Sequence, residues 1–313
     1  MSRLFPLRPK RSKPGWVALC PAAGSPAAVH VLAGGQGRAR VLWVEALTTG
    51  MDEMERLARS RGLSAYRITT LMPPGSYQLL QMNAPAVPRH EWKEALRWQL
   101  KDFIDFPAEQ ATFDVLDIPT ESHAPGRPHM VFVAVARNEQ VGEIMARYDR
   151  AHLNLQAIDI PELALRNVAA LLEDENRGLA SLSFDQHGGL LVLTFKGELY
   201  ASRRIEIPLE QFTGADLERR QTLFERVGLE LQRTLDAFDR QYSFISVSRL
   251  LLAPRPELSG LLDYLGSSLY VPVDQMDLSQ VLDLEACPTL QQPAEQSRHL
   301  LALGAALRQE SQP

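Results

Sequence analysis

Residues 87–119, VPRHEWKEALRWQLKDFIDFPAEQATFDVLDIP, contain the strongest periodic pattern in the chain. Apolar side chains recur there at spacings of three and four residues, as on the buried face of an amphipathic helix: Trp92, Leu96, Leu100 and Phe103. Pro88 suits the first turn of this helix, and Pro107 cannot continue it. Residues 113–118, FDVLDI, then predict a strand. The pattern by itself predicts a core helix followed by a core strand.

The composition is that of an ordinary soluble globular protein, with 45% hydrophobic and 23% charged residues. A chain of 313 residues is long enough for two lobes. The net charge of -5 argues against a nucleic-acid-binding protein, which would have a basic face. Cys20 and Cys287 are too few and too isolated for a disulfide framework or a metal site. We find neither a membrane-spanning apolar run nor a secretory signal, so we expect a cytoplasmic protein.

Residues 1–14, MSRLFPLRPKRSKP, combine basic residues with prolines and contain no acidic residue. Prolines at this density disfavour regular structure, so we interpret the segment as a disordered basic tail. A tail of this kind is also attracted to anionic lipid headgroups, by ~1 kcal/mol per basic residue near the surface. The two interpretations are compatible.

Alternating helices and strands predict an α/β protein. Residues 15–175 are the predicted first lobe, and the polar segment at 173–178, EDENRG, marks its boundary. Residues 176–313 are the predicted second lobe, with a three-stranded meander, a long amphipathic helix at 216–242 and a closing helix at 295–309. The glycine cluster at 34–37, GGQG, lacks the spacing of a dinucleotide-binding loop, so we interpret it as a hairpin turn.

Several segments resemble type IV pilus assembly proteins of the PilM type, and especially the MshI relatives from mannose-sensitive haemagglutinin (MSHA) pilus systems. In the opening stretch, the matching residues are Trp98, Phe103-Ile104-Asp105-Phe106-Pro107, Glu109 and Phe113-Asp114. Further matches follow in the family's order: the strand, helix and strand of residues 131–167, the pair Ser202-Arg203, and the ending ALGAALR at 302–308. The resemblance therefore extends over residues 85–308.

The resemblance implies the actin-like ATPase fold, an α/β fold of two RNase H-like lobes with a small inserted subdomain. The insert would occupy residues 85–130, and the last helix, 295–309, would pack back toward the first lobe. The opening stretch would then belong to the insert.

The residues at the expected nucleotide site depart from the superfamily pattern. Actin-like ATPases hold phosphates with an aspartate-glycine hairpin in each lobe and adenosine with a double glycine. The first hairpin is replaced by residues 20–25, CPAAGS, which include no carboxylate, and the adenosine glycines by residues 253–256, APRP. In the second lobe, Asp185 with Gly188 and Gly189 is either a remnant phosphate hairpin or a plain turn. We therefore predict degenerate or absent nucleotide binding, with an ATP and magnesium site as the alternative.

Other catalytic patterns are missing. The chain contains no GxxxxGK[ST], HExxH or GxSxG motif, and its seven histidines lack metal-ligand spacing. We therefore predict no catalytic residue and no metal ligand.

The resemblance implies a scaffold for type IV pilus assembly that lies in the cytoplasm, peripheral to the inner membrane. The implied partner is a PilN-like inner-membrane protein, whose cytoplasmic N-terminal peptide would lie in a groove between the first lobe and the insert. The candidate partner-binding residues are the apolar ones of the opening stretch: Trp98, Phe103, Ile104, Phe106 and Pro107. Two alternatives stay open, an active ATPase that works through Asp185 and the cytoplasmic part of a GspL-like type II secretion protein. The oligomeric state also stays open.

Overall fold

The computed structural model describes residues 12–21, 25–34, 37–47, 51–120 and 129–309. Three sequence predictions fall partly outside these ranges: the basic tail (residues 1–11), the turn after the first strand (22–24) and the glycine cluster (35–36). The strands are β1 (Trp16–Cys20), β2 (Ala27–Leu32), β3 (Ala39–Ala46), β4 (Arg67–Leu71), β5 (Tyr77–Asn83), β6 (Ala111–Asp117), β7 (Met130–Arg137), β8 (Leu155–Asp159), β9 (Gly178–Asp185), β10 (Gly188–Phe195), β11 (Glu198–Ile205), β12 (Val247–Leu252), β13 (Val273–Gln275) and β14 (Leu282–Asp283). The α-helices are α1 (Met51–Arg61), α2 (Trp92–Leu100), α3 (Asn138–Arg150), α4 (Pro161–Leu172), α5 (Leu217–Gln241), α6 (Leu261–Ser268), α7 (Pro293–Arg298) and α8 (Leu300–Ala306).

Two of the three sheets repeat one arrangement. The six-stranded sheet has the order β14-β3-β2-β1-β4-β8, in which β1 to β3 form an antiparallel meander and β4 and β8 continue in parallel. The five-stranded sheet has the order β11-β10-β9-β12-β13, again with an antiparallel meander followed by parallel strands. All eight residues of β10 are buried, because this sheet is covered on both faces. The predicted second meander is therefore confirmed.

Helices α4 and α8 pack against each other in the middle of the molecule. Helix α8 contacts β1, β2 and β4 of the six-stranded sheet, whereas α4 contacts β9, β10 and β11 of the five-stranded sheet. At their crossing, a side chain on Gly304 would place its Cβ 2.0 Å from the carbonyl oxygen of Ala164. Only glycine allows the two backbones to approach this closely. The glycine of the ALGAALR segment is therefore explained by helix packing.

The arginine of the same segment reaches the start of α4. Arg308 Nη1 lies 3.4 Å from Asp159 Oδ2, and its guanidinium lies over the ring of Trp16 at 5.1 Å. Burial raises the pKa of the Asp159 carboxyl, although the nearby Arg308 charge opposes this shift. Two segments that resemble the pilus family therefore contact each other in the fold.

The single closing helix predicted at 295–309 is wrong, because the structure has two short helices, α7 and α8. The break lies at His299, whose φ of -103° and ψ of 7° depart from helical values. Gln296 is buried just before it, where its side chain accepts from the Leu278 N–H (2.7 Å) and donates to the Leu290 carbonyl (2.9 Å). These hydrogen bonds hold α7 to the preceding loop. Helix α8 therefore begins as a separate helix after His299.

The third sheet has the order β5-β7-β6 and is antiparallel. Helix α2 covers one face of it with Trp92, Leu96 and Leu100, which are buried as the pattern predicted. The prediction for Phe103 is wrong, since α2 ends at Leu100 and Phe103 is 54% exposed. The strands begin before residue 85 and end after residue 130, so the sheet includes residues on both sides of the predicted insert.

Candidate functional site

An open groove of about 1040 Å³ lies between the three-stranded sheet, β11 and α5. It is formed by Tyr77, Leu79 and Phe132 of the three-stranded sheet, by residues 202–207 along β11, and by Arg226, Leu229 and Glu230 of α5. Small-molecule pockets usually enclose about 300–1,000 Å³. A groove of this size and openness therefore suits a peptide segment better than a single metabolite.

A hydrogen-bonded ion pair lies at the base of the groove. Arg204 of β11 donates two hydrogen bonds to Glu162 Oε1, at 3.1 and 2.8 Å. Tyr77 of β5 donates to Glu162 Oε2 at 2.5 Å and accepts from Arg204 at 2.7 Å. Because Glu162 belongs to α4, the network joins the three-stranded sheet, the central helix pair and the five-stranded sheet.

Burial and charge keep Tyr77 and Arg204 in their ordinary protonation states. Burial, together with the Glu162 carboxylate, raises the pKa of the Tyr77 phenol far above its usual range. Burial, the largest effect, lowers the pKa of Arg204, but the charges of Glu162 and Tyr77 and the hydrogen bonds to both together outweigh it, so the pKa of Arg204 is raised overall. The phenol therefore stays a donor and the guanidinium stays charged. We assign the network a structural role, which is to hold the two sides of the groove at a fixed separation.

The two sides of the groove differ in chemistry. On the three-stranded sheet, the partly buried Leu79 presents apolar surface, whereas Phe132 is only 5% exposed. On α5, Leu229 is 47% exposed. Arg226 beside it has no ion-pair partner within the described ranges, whereas Glu230 accepts from Arg203 at 2.9 Å. The α5 side therefore offers an apolar contact next to an unpaired cation.

The predicted partner-binding residues lie on the opposite side of the three-stranded sheet from the groove. Trp98 is 70% exposed on α2, with the Lys101 ammonium 4.2 Å from its ring, and Phe103 and Pro107 are also exposed. The groove is lined by the other face of the sheet, through Leu79 and Phe132. The predicted residues therefore form a separate outer aromatic surface, which we define as Trp98, Phe103 and Pro107.

Two of the predicted residues do not belong to this outer aromatic surface. Ile104 is 9% exposed and packs in the cluster beneath α2 with Leu100. Phe106 is half-buried, and its ring is covered by the Arg137 guanidinium at 4.2 Å. The turn after α2 alternates the direction of its side chains, so Phe103 and Ile104 point to opposite sides. The contact of Ile104 with a partner stays a prediction, and little of its side chain is exposed for such a contact.

Asp185, Gly188 and Gly189 lie at the hairpin between β9 and β10. Asp185 Oδ1 accepts a hydrogen bond from the His187 N–H of the same turn, at 2.7 Å. Gly188 has a φ of +121°, and a Cβ there would lie 2.4 Å from the Ile205 carbonyl oxygen. A Cβ on Gly189 would lie 2.8 Å from the ring of Phe184. Turn geometry and packing thus account for all three residues, and their role in phosphate binding stays a prediction.

The same hairpin also borders a small cavity, which is lined as well by residues of α7 and α8. Asp185 faces Ser25 across it, with Arg255, Arg298 and Leu301 among the other lining residues. The cavity volume is about 20 Å³, and one water molecule requires about 10–15 Å³ by the same kind of measure. The described residues around Asp185 therefore enclose a space far smaller than a nucleotide.

In the part of the chain that the structure describes, no three potential metal ligands among His, Cys, Asp and Glu lie together.

Sequence reasoning missed the groove. Glu162 lies in the first turn of a helix, where an acidic residue is usually solvated, but it is 2% exposed. Arg204 follows the Ser202-Arg203 pair of the family resemblance. Tyr77 and Leu229 gave no signal, since the groove brings together residues from remote parts of the chain.

No helix in the described ranges is long and apolar enough to cross a membrane.

Comparison with known proteins identifies the fold. No protein-family model and no curated protein sequence matches this chain. Among solved structures, it is similar to the PilM-PilN type IV pilus biogenesis complex, with a TM-score of 0.69 and 21% identity over 95% of this chain and 98% of that chain. It is also similar to the cytoplasmic domain of EpsL, an inner-membrane component of the type II secretion system of Vibrio cholerae (TM-score 0.50, 15% identity, 91% of this chain and 96% of that chain). A protein of unknown function from Bacteroides thetaiotaomicron with an actin-like ATPase fold matches with a TM-score of 0.50 and 10% identity, over 90% of this chain and 97% of that chain. The chain has the actin-like ATPase fold, as the sequence predicted.

Proposed function

We propose that this protein is a scaffold for type IV pilus assembly that holds the cytoplasmic N-terminal peptide of a PilN-like inner-membrane protein. The open groove between the three-stranded sheet and the five-stranded sheet is the observation that carries the proposal. The similarity to a PilM-PilN complex over nearly the whole chain supports it. In this proposal the protein lies in the cytoplasm and is held at the inner membrane through its partner, with added attraction from the basic residues of 1–14.

The groove has the properties of a preformed peptide site. Its sides are joined at the base by the Tyr77–Glu162–Arg204 network, so binding would not require them to be ordered first. Leu229 offers the exposed apolar anchor, and Arg226 offers a charge that selects an acidic group. The groove faces the three-stranded sheet on one side, but its other side is formed by β11 and α5 of the second lobe, whereas the family resemblance implies a groove between the first lobe and the insert.

We assign a second partner contact to the outer aromatic surface. Exposed Trp and Phe side chains beside basic residues are typical of binding hot spots. Lys93, Arg97 and Lys101 lie next to Trp98 around a shallow depression of about 470 Å³. Ile104 and Phe106 would act by supporting this surface from beneath. Residues 103–107 also provide the basis for assigning the pilus to the MSHA type, which is part of this proposal.

We further propose that the nucleotide site is degenerate. The small volume of the cavity beside Asp185 and the hydrogen bond that this carboxylate accepts from its own turn support the idea. The alternative is an ATPase of the pilus machine in which Asp185, Gly188 and Gly189 contact the phosphates of ATP with magnesium. That alternative requires the residues around the cavity to move apart.

A second candidate function is the equivalent scaffold of a type II secretion system. The similarity to the EpsL cytoplasmic domain favours it, although with a lower TM-score than the pilus complex. In that case, the membrane partner would differ while the groove would keep its role. Identifying the genes beside the one for this chain distinguishes the two systems directly.

The test is direct binding of a fluorescent peptide that spans the cytoplasmic N-terminus of the PilN-like protein from the same bacterium. We expect saturable binding to the full chain at micromolar peptide, measured by anisotropy, and no binding of a peptide with the same composition in scrambled order. If neither peptide binds at these concentrations, the proposed partner is wrong. Size-exclusion chromatography of the same samples determines whether the chain forms a homo-oligomer.

A further inference from the structure

We propose that the partner peptide binds by adding a strand to the free edge of β11, so that backbone hydrogen bonds to residues 202–206, at the end of this strand, provide the main contact. The inference rests on the proposed function and specifies how the groove recognises its peptide. It commits to an extended peptide segment and not to a helix.

Strand β11 is an edge strand of the five-stranded sheet. It pairs with β10 through the register Gly189–Ile205 to Phe195–Glu198, and the sheet order ends with it. The outward N–H and C=O groups of an edge strand lack strand partners and form a template for another strand. The groove lies along this edge, so a peptide in the groove has access to these groups.

The lining of the groove shows that it follows the edge of β11 and not one of its faces. Six consecutive residues, 202–207, line it. Successive side chains of a strand point to opposite faces, and here Arg203 reaches Glu230 on α5 while Arg204 reaches Glu162 on α4. A groove over one face would meet only alternate residues. The residues that point to α4 and those that point to α5 both line the groove, because the groove lies beside the strand.

Strand β5 provides the contrast, because it is also an edge strand. Of its residues, Tyr77 and Leu79 line the groove, while Gln78 between them does not. Alternate residues indicate that β5 presents its face. The three-stranded sheet therefore forms a side wall for peptide side chains, and β11 offers the backbone.

Charged side chains often protect edge strands from pairing with other chains. On β11 this protection is weakened, because the guanidinium groups of Arg203 and Arg204 are held by Glu230 and Glu162 on the two faces of the sheet. The edge of β11 between these two guanidinium groups is therefore accessible to the backbone of a peptide.

The two sides of the groove also determine which types of side chain the peptide should carry. Alternate residues of an added strand would face Leu79 and Phe132, which suits apolar side chains. The intervening residues would face α5, where Leu229 and the unpaired Arg226 suit an apolar and an acidic side chain. Glu206, exposed at the end of the edge and without an ion-pair partner in the described ranges, disfavours an acidic residue at that end.

The experiment uses the full chain and the synthetic N-terminal peptide of the PilN-like protein, with each backbone nitrogen methylated in turn. We expect alternate methylations to weaken binding by about tenfold each, because each removes one hydrogen bond to β11, while the methylations between them have little effect. In parallel, amide hydrogen exchange should slow at alternate residues of 202–206 when the unmodified peptide is added.

The outcomes separate this inference from the proposed function. If the peptide binds, but methylation shows no alternation and β11 amides exchange as before, the strand-addition inference is wrong while the proposed function stands. If the slowed amides belong to β5, the edge has been assigned to the wrong strand. A peptide that does not bind at all overturns the proposed function, and this inference with it.

Discussion

The large groove and the small cavity lie on either side of one hairpin. His187 at its tip lines the groove, whereas Asp185, two residues earlier, lines the cavity. The groove measures about 1040 Å³ and the cavity about 20 Å³. The cavity lies beside the Asp185 hairpin, where a superfamily ATPase would be expected to hold nucleotide, and the groove is formed by the added three-stranded sheet. In our proposal, the chain binds its ligand in the groove and its nucleotide site is degenerate, and the contrast in volume supports that proposal.

The two regions differ in how their polar groups are used. Around the cavity, Asp185 is engaged by its own turn, and Gly188 and Gly189 are close to Ile205 and Phe184. In the groove, the buried charges are paired at the base, while Leu229 and Arg226 are left for a ligand. Internal packing therefore accounts for the residues of the first region and for the base of the groove, but it does not account for Leu229 and Arg226.

The largest effect is expected from Gly188→Ala, which tests whether packing explains the hairpin glycine. We expect a loss of about 3 kcal/mol in the free energy of unfolding, from backbone strain and the contact with the Ile205 carbonyl. Urea denaturation measures it. The matched control is Gly62→Ala, where φ is +59° but no atom lies within 4 Å of the new Cβ, so a loss of only about 1–2 kcal/mol is expected. Equal losses would show that packing is not the reason for Gly188.

The base of the groove is tested by Arg204→Met. Removing the guanidinium leaves the buried Glu162 carboxylate without its main partner, so we expect a loss of about 2 kcal/mol in the free energy of unfolding. Its neighbour provides the control: Arg203 pairs with Glu230 at the surface, and Arg203→Met should cost about 0–1 kcal/mol. If Arg204→Met costs no more than its neighbour, the network does not hold the groove together.

The α5 side of the groove is tested by Leu229→Glu. A carboxylate in place of the exposed leucine should weaken peptide binding about tenfold, which corresponds to ~1.4 kcal/mol. Leu217→Glu is the control, since Leu217 is 88% exposed near the start of the same helix and does not line the groove. Fluorescence anisotropy with the same peptide measures both. Similar losses in the two variants would place the peptide elsewhere.

The smallest effect on stability is expected from Trp98→Ala. The ring is 70% exposed, so the free energy of unfolding should change by less than about 0.5 kcal/mol. Peptide affinity should also be unchanged, while pilus assembly in the host should fall if the outer aromatic surface is a second partner contact. Leu96→Ala, on the buried face of the same helix, should instead cost about 2–5 kcal/mol. Loss of peptide binding in Trp98→Ala would show that the peptide uses the outer surface.

Periodic patterns and local signals account for the features that were predicted correctly. The stripe of Trp92, Leu96 and Leu100 predicted the face by which α2 packs, and the strand spacing predicted the second meander. The prediction failed at Phe103, because the helical spacing of apolar residues in the sequence extends beyond Leu100, where the helix ends. Ile104 takes the buried position instead, since the turn reverses the side-chain directions.

The groove was beyond prediction for a different reason. Tyr77, Glu162, Arg204 and Leu229 come from four separate elements, and no local pattern relates them. The strand that provides Tyr77 was not identified at all. Burial of an ion pair depends on tertiary packing, so an acid in the first turn of a helix is interpreted as solvated until its neighbours are known.

The central claim is that the groove binds a ligand and the cavity does not. Calorimetry tests it in one experiment, in which the full chain is titrated first with ATP and magnesium and then with the partner peptide. We predict no saturable heat from ATP and a micromolar binding isotherm from the peptide, with the peptide isotherm weakened in Leu229→Glu. Saturable ATP binding that is lost in Asp185→Ala would contradict this account and would show that the hairpin is a working phosphate site.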